Sequence, residues 1–574
     1  MHRLSFAISL LLLASCQATS QSPSQQAPSP DAASKPASTT AAKVFAFEEA
    51  DVASLQAKMA DGSLSSRALT QAYLDRIAAL DDAGPMLNAV IETNPDALKD
   101  ADALDAERKA GKLRGPLHGI PVLLKDNIDA MPMVNSAGSL ALADNRPTRD
   151  AFLVQRLRDA GAVILGKTNL SEWANMRSTH SSSGWSGRGG QTRNPYILDR
   201  NPCGSSAGTG TAIAANLASI GIGTETDGSV ICPAAMTGLV GIKPTLGLVS
   251  RGGIIPLAHS QDTAGPMTRT VADAAALLTA MAGSDPGDAA TAAAGTHATD
   301  YSKFLKPDAL TGKRIGVIRK LAGMEPNADR VLEQSIAVLK AQGATIIDPV
   351  DVPNVDKLGD DEFTVLLYEL KHDLAQYLAG ADVAPKTLAD LIAFNKAHAD
   401  QEMPWFGQEL FEQSEAKGPL TDKAYRDALT NSKRKAGPQG IDVAMQAQHL
   451  DALLAPSWGP AFPTDPVLGD HIVSGDPTVG GASQLAAVSG YPSITVPAGD
   501  AHGLPVGIVF MGRAWSEPTL IEIAYGFEQA TKTRKPPQFL PTLAIQPGIL
   551  KVRAVPTSVG SANPVESRAA EVKK

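Results

Sequence analysis

The chain has 574 residues, 43% hydrophobic and only 5% aromatic, which is enough apolar material for a large α/β core. Its net charge of −9, with no long basic run, argues against a nucleic-acid partner. Fifty glycines and forty prolines without an internal repeat point to a loop-rich enzyme rather than a helical repeat.

The amino terminus does not read as fold. Met1-His2-Arg3 is a short basic start, and residues 4–13 form an apolar run too short to span a bilayer but suited to a signal peptide. The run ends Leu13-Ala14-Ser15-Cys16, which resembles a bacterial lipobox. That resemblance implies a signal peptide over 1–15 and a lipid on Cys16, hence an exported protein anchored in the cell envelope. An ordinary cleaved signal peptide, giving a periplasmic or secreted protein, is the alternative reading. Residues 16–44 are rich in Ser, Pro, Gln and Ala and read as a flexible tether. One catalytic domain is expected over 45–543, and a disordered tail over 544–574.

Leu69, Tyr73, Ile77 and Leu80 recur at helical spacing behind Ser65 and Ser66, an N-cap pattern. A second helix is expected over 96–109. The run Gly119-Ile120-Pro121-Val122-Leu123-Leu124-Lys125-Asp126-Asn127 is a short apolar strand that delivers a lysine at its end. Such a lysine ordinarily marks a strand leaving the core, so local pattern leaves its role open. A helix over 151–160 leads to a buried strand over 162–167. The polar loop over 178–200 has no periodicity and is long enough to be functional. Residues 246–266 are turn-rich, 273–281 helical, and 283–298 a loop. Strand, helix and strand follow at 314–318, 328–341 and 344–347, an alternation that predicts a parallel or mixed sheet with helices on both faces. The segment 360–449 is mainly helical and polar, suited to covering a site. Strands are expected at 452–455, 493–496 and 506–510, and a final helix at 517–531.

The chain's most informative stretch is 201–245. It holds two glycine-flanked serine clusters, Gly204-Ser205-Ser206-Ala207-Gly208 and Asp227-Gly228-Ser229, joined by an alanine-rich segment over 211–219. Glycine beside serine lets backbone approach a ligand, and successive N–H groups in such turns make anion-binding concavities. Two polar turns around a buried helix is the plainer reading. Gly204-x-Ser206-x-Gly208 matches a nucleophile elbow, but that motif follows a strand, and Asn201-Pro202-Cys203 is a poor one. A phosphate loop is disfavoured because no Lys-Ser/Thr follows the glycines. The remaining option makes Ser229 a nucleophile, with a second serine and a lysine as its base system.

These residues carry a resemblance. The chain resembles the amidase signature family from about Phe47 to Leu543, through the motifs Gly119 to Asn127, Gly204 to Gly208 and Gly223-Thr224-Glu225-Thr226-Asp227-Gly228-Ser229. Within that family it is most similar to bacterial peptide amidases, through residues 185–196 and 250–256. The resemblance implies an α/β fold with a large mixed sheet core covered by helices on both faces, and a single catalytic domain. It implies Ser229 as nucleophile, Ser205 in an unusual cis peptide as proton bridge, and Lys125 as base. Ser206 would support this set by hydrogen bonding. Backbone N–H groups of Thr226, Asp227, Gly228 and Ser229 would form the oxyanion hole. Lysine is a base only when neutral, and burial without a fixed anion provides that; Asp126 should point to the opposite face of its extended segment.

The implied reaction hydrolyses a carboxamide to acid and ammonia through an acyl-enzyme, with no cofactor and no metal. The ten histidines show no metal-ligand spacing and read as structural or surface groups. Ile231 and Cys232 follow the nucleophile where several relatives have an arginine, so a neutral amide such as a C-terminal peptide amide is the expected substrate. Asn175 and Met176, with residues 178–184, are candidate wall residues. A fatty-acyl or aryl amide, the amidase subunit of a tRNA-dependent amidotransferase, and a non-catalytic binding lipoprotein stay open as alternatives. Cys203 and Cys232 flank the site and could be a disulfide or two thiols.

Overall fold

The computed structural model describes residues 45–470 and 481–543. The expected signal peptide, the lipidation residue Cys16, the tether and the tail over 544–574 lie outside the described residues. From Phe47 onward the described chain is one compact unit.

The strands in chain order are β1 (Val90–Thr93), β2 (Pro121–Lys125), β3 (Val163–Thr168), β4 (Trp185–Ser186), β5 (Gly190–Gln191), β6 (Ile220–Glu225), β7 (Val240–Lys243), β8 (Thr263–Thr268), β9 (Arg314–Val317), β10 (Thr345–Ile347), β11 (Ala452–Pro456), β12 (Ser493–Ala501) and β13 (Leu504–Met511). Eleven of them form one sheet in the order β1-β3-β2-β6-β8-β7-β12-β13-β11-β9-β10, while β4 and β5 make a small separate hairpin. The sheet is mixed. β2 runs parallel to β3 and β6, and β9 parallel to β10 and β11, while the remaining pairs are antiparallel. Every residue of β2, β3, β6, β7, β8, β11 and β13 is buried, so both faces of the sheet are covered.

The expected elements are present with small shifts in their ends. Ser65 caps the helix Ser66–Leu80, its side chain accepting from Ala68 N–H, and Leu69, Tyr73 and Ile77 are buried. The helices Ala97–Lys109, Phe152–Asp159, Pro326–Ala341 and Glu517–Thr531 also match. Strands β1, β6, β7 and β8 are not legible as strands in the sequence, nor are the helices Val52–Ala60 and Gln484–Ser489. The loop over 178–200 contains the β4–β5 hairpin, with Trp185 opposite Gln191. The helical region after Leu358 joins the core: Leu370, Leu374 and Phe411 pack with Trp173, Ile255 and Leu257. This cluster backs the loops that carry the cleft walls.

Candidate active site

The parallel neighbours β3 and β6 enclose β2, pairing Leu124 with Lys167 and with Ile222. This position carries Lys125 into the interior, where it is fully buried. Its Nζ donates to Ser205 Oγ at 2.7 Å, Thr224 Oγ1 at 2.9 Å and Thr224 O at 3.2 Å. Burial pushes the Lys125 ammonium down to about pKa 7, against the opposing pull of Asp262 and Glu225. Fixed anions are therefore nearby, contrary to the sequence expectation, and burial outweighs them. Asp126 turns the other way as alternation requires: Lys167 Nζ lies 3.2 Å and Arg188 Nη1 3.3 Å from its carboxylate.

Ser205 follows a cis Gly204–Ser205 peptide bond. Ser206 then sits at the N-cap of the helix Ala207–Ala214. Its Oγ donates to Thr224 O at 3.1 Å and accepts from Thr224 N–H at 3.2 Å. Its own N–H donates to the Ser229 carbonyl at 3.2 Å. One serine thus fastens the first serine cluster to β6 and to the second cluster. No strand leads directly into Ser206, which removes the elbow reading.

The second cluster is the turn that leaves β6. Gly228 has φ +75°, a left-handed conformation that favours glycine, and a Cβ there would meet Ser483 Oγ at 3.1 Å and the Trp458 ring at 3.2 Å. Glu225 Oε2 accepts from Val230 N–H at 2.7 Å and Ile231 N–H at 2.9 Å, holding the start of the helix Ile231–Met236 just past Ser229. Thr226 is held on both sides. Its Oγ1 donates to Asp262 Oδ1 at 2.6 Å, and its carbonyl accepts from Gln261 Nε2 at 3.2 Å. Burial raises the Asp262 carboxyl to about 6, with the Thr226 hydrogen bond opposing. Asp227 and Glu362 are both pushed up by burial, and the charge of Glu362 raises Asp227 further. Cys203 and Cys232 are joined by a disulfide with Cα atoms 5.9 Å apart, which settles the open question of the two thiols. The bond ties the residue before Gly204 to the helix after Ser229.

Both clusters open on one cleft of about 260 Å³. Ser205 and all four residues from Thr226 to Ser229 line it. Its walls include the anticipated Asn175 and Met176, and also Trp458, Phe462 and Asp470. Asn175 Nδ2 donates to Ser183 Oγ at 3.0 Å. Trp173, Ala174 and Asn175 have φ of 49°, 52° and 74°, a strained run that turns this segment into the wall. Asp470 accepts from Ser183 N–H at 2.9 Å and Asn201 Nδ2 at 3.2 Å, and burial raises its carboxyl to about 6.

Thr224, Glu225 and Asn127 lie in the sequence motifs but carry no legible role there. Asn127 Nδ2 donates to Thr224 Oγ1 at 3.0 Å, fixing the hydroxyl that faces Lys125. Asp262, Trp458, Phe462 and Asp470 carried no local signal.

The family model described as Amidase matches residues 68–521. A probable amidase of Arabidopsis thaliana is 42% identical over 508 residues, covering 86% of this chain and 93% of its own. One glutamyl-tRNA(Gln) amidotransferase subunit, from Moorella thermoacetica, is 35% identical over 481 residues, covering 82% of this chain and 94% of its own. Among solved structures, native peptide amidase from Stenotrophomonas maltophilia is similar with 57% identity and a TM-score of 0.81, covering 86% of this chain and 99% of that one. With its mixed sheet and paired serine clusters, the chain belongs to the amidase signature family and is an amide-hydrolysing enzyme.

Proposed function

We propose that the protein hydrolyses the carboxamide of neutral amides, C-terminal peptide amides foremost, by a Ser229–Ser205–Lys125 relay. The observation that carries this reading is the 2.7 Å hydrogen bond between Ser205 Oγ and a fully buried lysine whose pKa lies near 7. A lysine half neutral at physiological pH can act as a base. Ser229 Oγ attacks the amide carbonyl while its proton passes through Ser205 Oγ to neutral Lys125 Nζ. The N–H groups of Thr226, Asp227, Gly228 and Ser229 stabilise the oxyanion, and loss of one such donor typically raises the barrier by about 3 kcal/mol. Collapse expels ammonia, which takes its proton back through Ser205, and water then releases the acid from Ser229.

The cleft lining supports a neutral acyl group. Among the described residues lining it the ionisable side chains are Asp227 and Asp470, and none is Lys or Arg. Among the described residues lining the cleft, a substrate carboxylate would find no cationic partner. Trp458, Phe462, Met176, Leu257 and Leu366 offer apolar contact. The likeness to a peptide amidase supports the same substrate class. The reading is tested by ammonia release from a panel of peptide, amino-acid, fatty-acid and aryl amides. Fastest turnover of peptide amides is expected, together with loss of turnover in Ser229→Ala. Preference for fatty-acyl or aryl amides would redirect the substrate assignment. Glutamine hydrolysis only with partner subunits would favour the amidotransferase reading, and unchanged turnover in Ser229→Ala would refute the relay.

Export with a lipid on Cys16 belongs to the same proposal, and the Cys203–Cys232 disulfide supports an oxidising compartment. Cys16→Ala should move the protein from membrane to soluble fractions; unchanged fractionation would overturn the anchor.

A further inference from the structure

The histidines show no metal-ligand spacing in the sequence, yet two of them meet in the fold. His259 lies in the loop between β7 and β8, and His372 lies in the helix Gly359–Gly380. Both turn Nδ1 toward the carboxylate of Asp373, a buried residue. His259 Nδ1 is 2.9 Å from Asp373 Oδ2 and 3.1 Å from Oδ1. His372 Nδ1 is 2.8 Å from Oδ1. Ligand atoms of the three side chains lie within 4.8 Å of one another. We propose that His259, His372 and Asp373 bind a divalent transition-metal ion, zinc foremost, at a site outside the catalytic cleft.

The donor set selects the class of ion. Two imidazoles and one carboxylate suit zinc and its neighbours, whereas magnesium and calcium prefer oxygen ligands throughout. Zinc bonds of about 2.0–2.1 Å put tetrahedral ligand atoms about 3.3 Å apart. The shortest carboxylate-to-imidazole separations, 2.9 Å for His259 and 2.8 Å for His372, fall a few tenths of an ångström below that, so the imidazoles need only move outward from the carboxylate by that amount. Both histidine side chains are over 40% exposed, so an ion can reach them from solvent and keep water in its remaining positions.

The outer groups fit the same assignment. A metal-bound histidine characteristically gives its other N–H to a carboxylate or carbonyl. His259 Nε2 faces Glu369 Oε1 at 3.5 Å, and Glu369 is itself fixed by Tyr425 OH at 2.7 Å and Ser260 N–H at 2.9 Å. His372 Nε2 lies 3.0 Å from the Gln376 amide, whose carbonyl end becomes an acceptor when the amide is turned over. His259 N–H holds Asp373 Oδ2 at 2.8 Å. The nearby cation Arg251 is engaged by Asp288, at 2.9 Å through Nε. An ion here would link the loop carrying Leu257, Gln261 and Asp262 to the helix carrying Glu362 and Leu366, and so brace one wall of the cleft.

The test is calorimetric titration of the untagged, chelator-treated full chain with zinc chloride. One saturable equivalent of micromolar or tighter affinity is expected, with no heat from magnesium chloride. His372→Gln and His259→Gln should each weaken that equivalent at least about tenfold while circular dichroism shows the fold intact. Absence of a saturable equivalent at micromolar zinc would overturn the proposal. So would an equivalent whose affinity is the same in both folded variants, because the ion would then sit elsewhere.

Discussion

Replacing Lys125 with methionine should abolish turnover and yet make the protein more stable. The native lysine is held near pKa 7 against an ordinary value of 10.5, mainly by burial. At about 1.4 kcal/mol per pH unit, this depression costs the fold about 4 kcal/mol at pH 7. Methionine has similar length and no charge, so it removes that cost. It also removes three hydrogen bonds, to Ser205 Oγ, Thr224 Oγ1 and Thr224 O. Thr224 keeps other donors, Asn127 to its hydroxyl and Ser206 to its carbonyl, so the loss falls mainly on Ser205 and amounts to about 1–3 kcal/mol. A net gain of about 1–3 kcal/mol remains. The pH dependence has a definite sign. Between about 7 and 10.5 the unfolded chain holds a proton on Lys125 that the folded chain has lost, so wild type gains stability as pH rises. The advantage of the variant should shrink by about 1.4 kcal/mol per unit above pH 7. Urea unfolding of both proteins at pH 6, 7, 8 and 9 measures this. A variant destabilised by a pH-independent amount would refute the reasoning, since it would mean that Lys125 is a charged structural group.

For wild type, kcat/KM should rise about tenfold per pH unit below about 7 and then level as Lys125 becomes neutral; a flat profile from pH 5 to 8 would exclude Lys125 as the base. Asp262→Asn removes the anion that most opposes the fall in the Lys125 pKa, so the acidic limb of that profile should move to lower pH, and a shift to higher pH would contradict the electrostatics. Cys203→Ser with Cys232→Ser releases a tie closing a sequence separation of 29. Loop entropy gives a stability loss of about 3–4 kcal/mol, read as a lower denaturation midpoint that reductant no longer changes. Gly228→Ala forces a Cβ toward Ser483 and Trp458 at φ +75° and should cost about 1–2 kcal/mol of stability, with a fall in kcat if this turn holds the oxyanion as proposed.

Strand β6 shows why part of the sheet escapes a sequence reading. Ile220-Gly221-Ile222-Gly223-Thr224-Glu225 alternates isoleucine with glycine, and glycine weakens the strand signal. The fold needs both glycines. A Cβ at 221 would meet Ile213 and Thr209 at 2.8 Å, and one at 223 would meet Ser206 Oγ at 2.7 Å and Met267 Sδ at 2.8 Å. The helix Ala207–Ala214 and strand β8 come so close that only hydrogen fits at these two positions. The composition that reads as turn and linker is therefore the composition that lets the two serine clusters approach each other.

The lysines make the complementary point about the site. Lys125 and Lys167 occupy similar positions, each near the end of a buried apolar run on neighbouring parallel strands. Local pattern gives them equal standing, and only a family resemblance singles out the first. The structure separates them by their partners. Lys167 has the Asp126 carboxylate at 3.2 Å, together with the Val134 carbonyl at 3.1 Å and Asn135 Oδ1 at 3.0 Å. Burial lowers the Lys167 pKa as well, but there the Asp126 charge opposes it from direct contact. Lys125 has two hydroxyls and a carbonyl, and its nearest charges act only at longer range. A buried lysine with a carboxylate in contact is favoured as a cation, whereas one met by hydroxyls can give up its proton near neutrality. Asp126 supplies the difference. It follows Lys125 directly, and strand alternation sends it to the opposite face, where it pairs with Lys167 and leaves Lys125 without a carboxylate in contact, as the proposed base role requires.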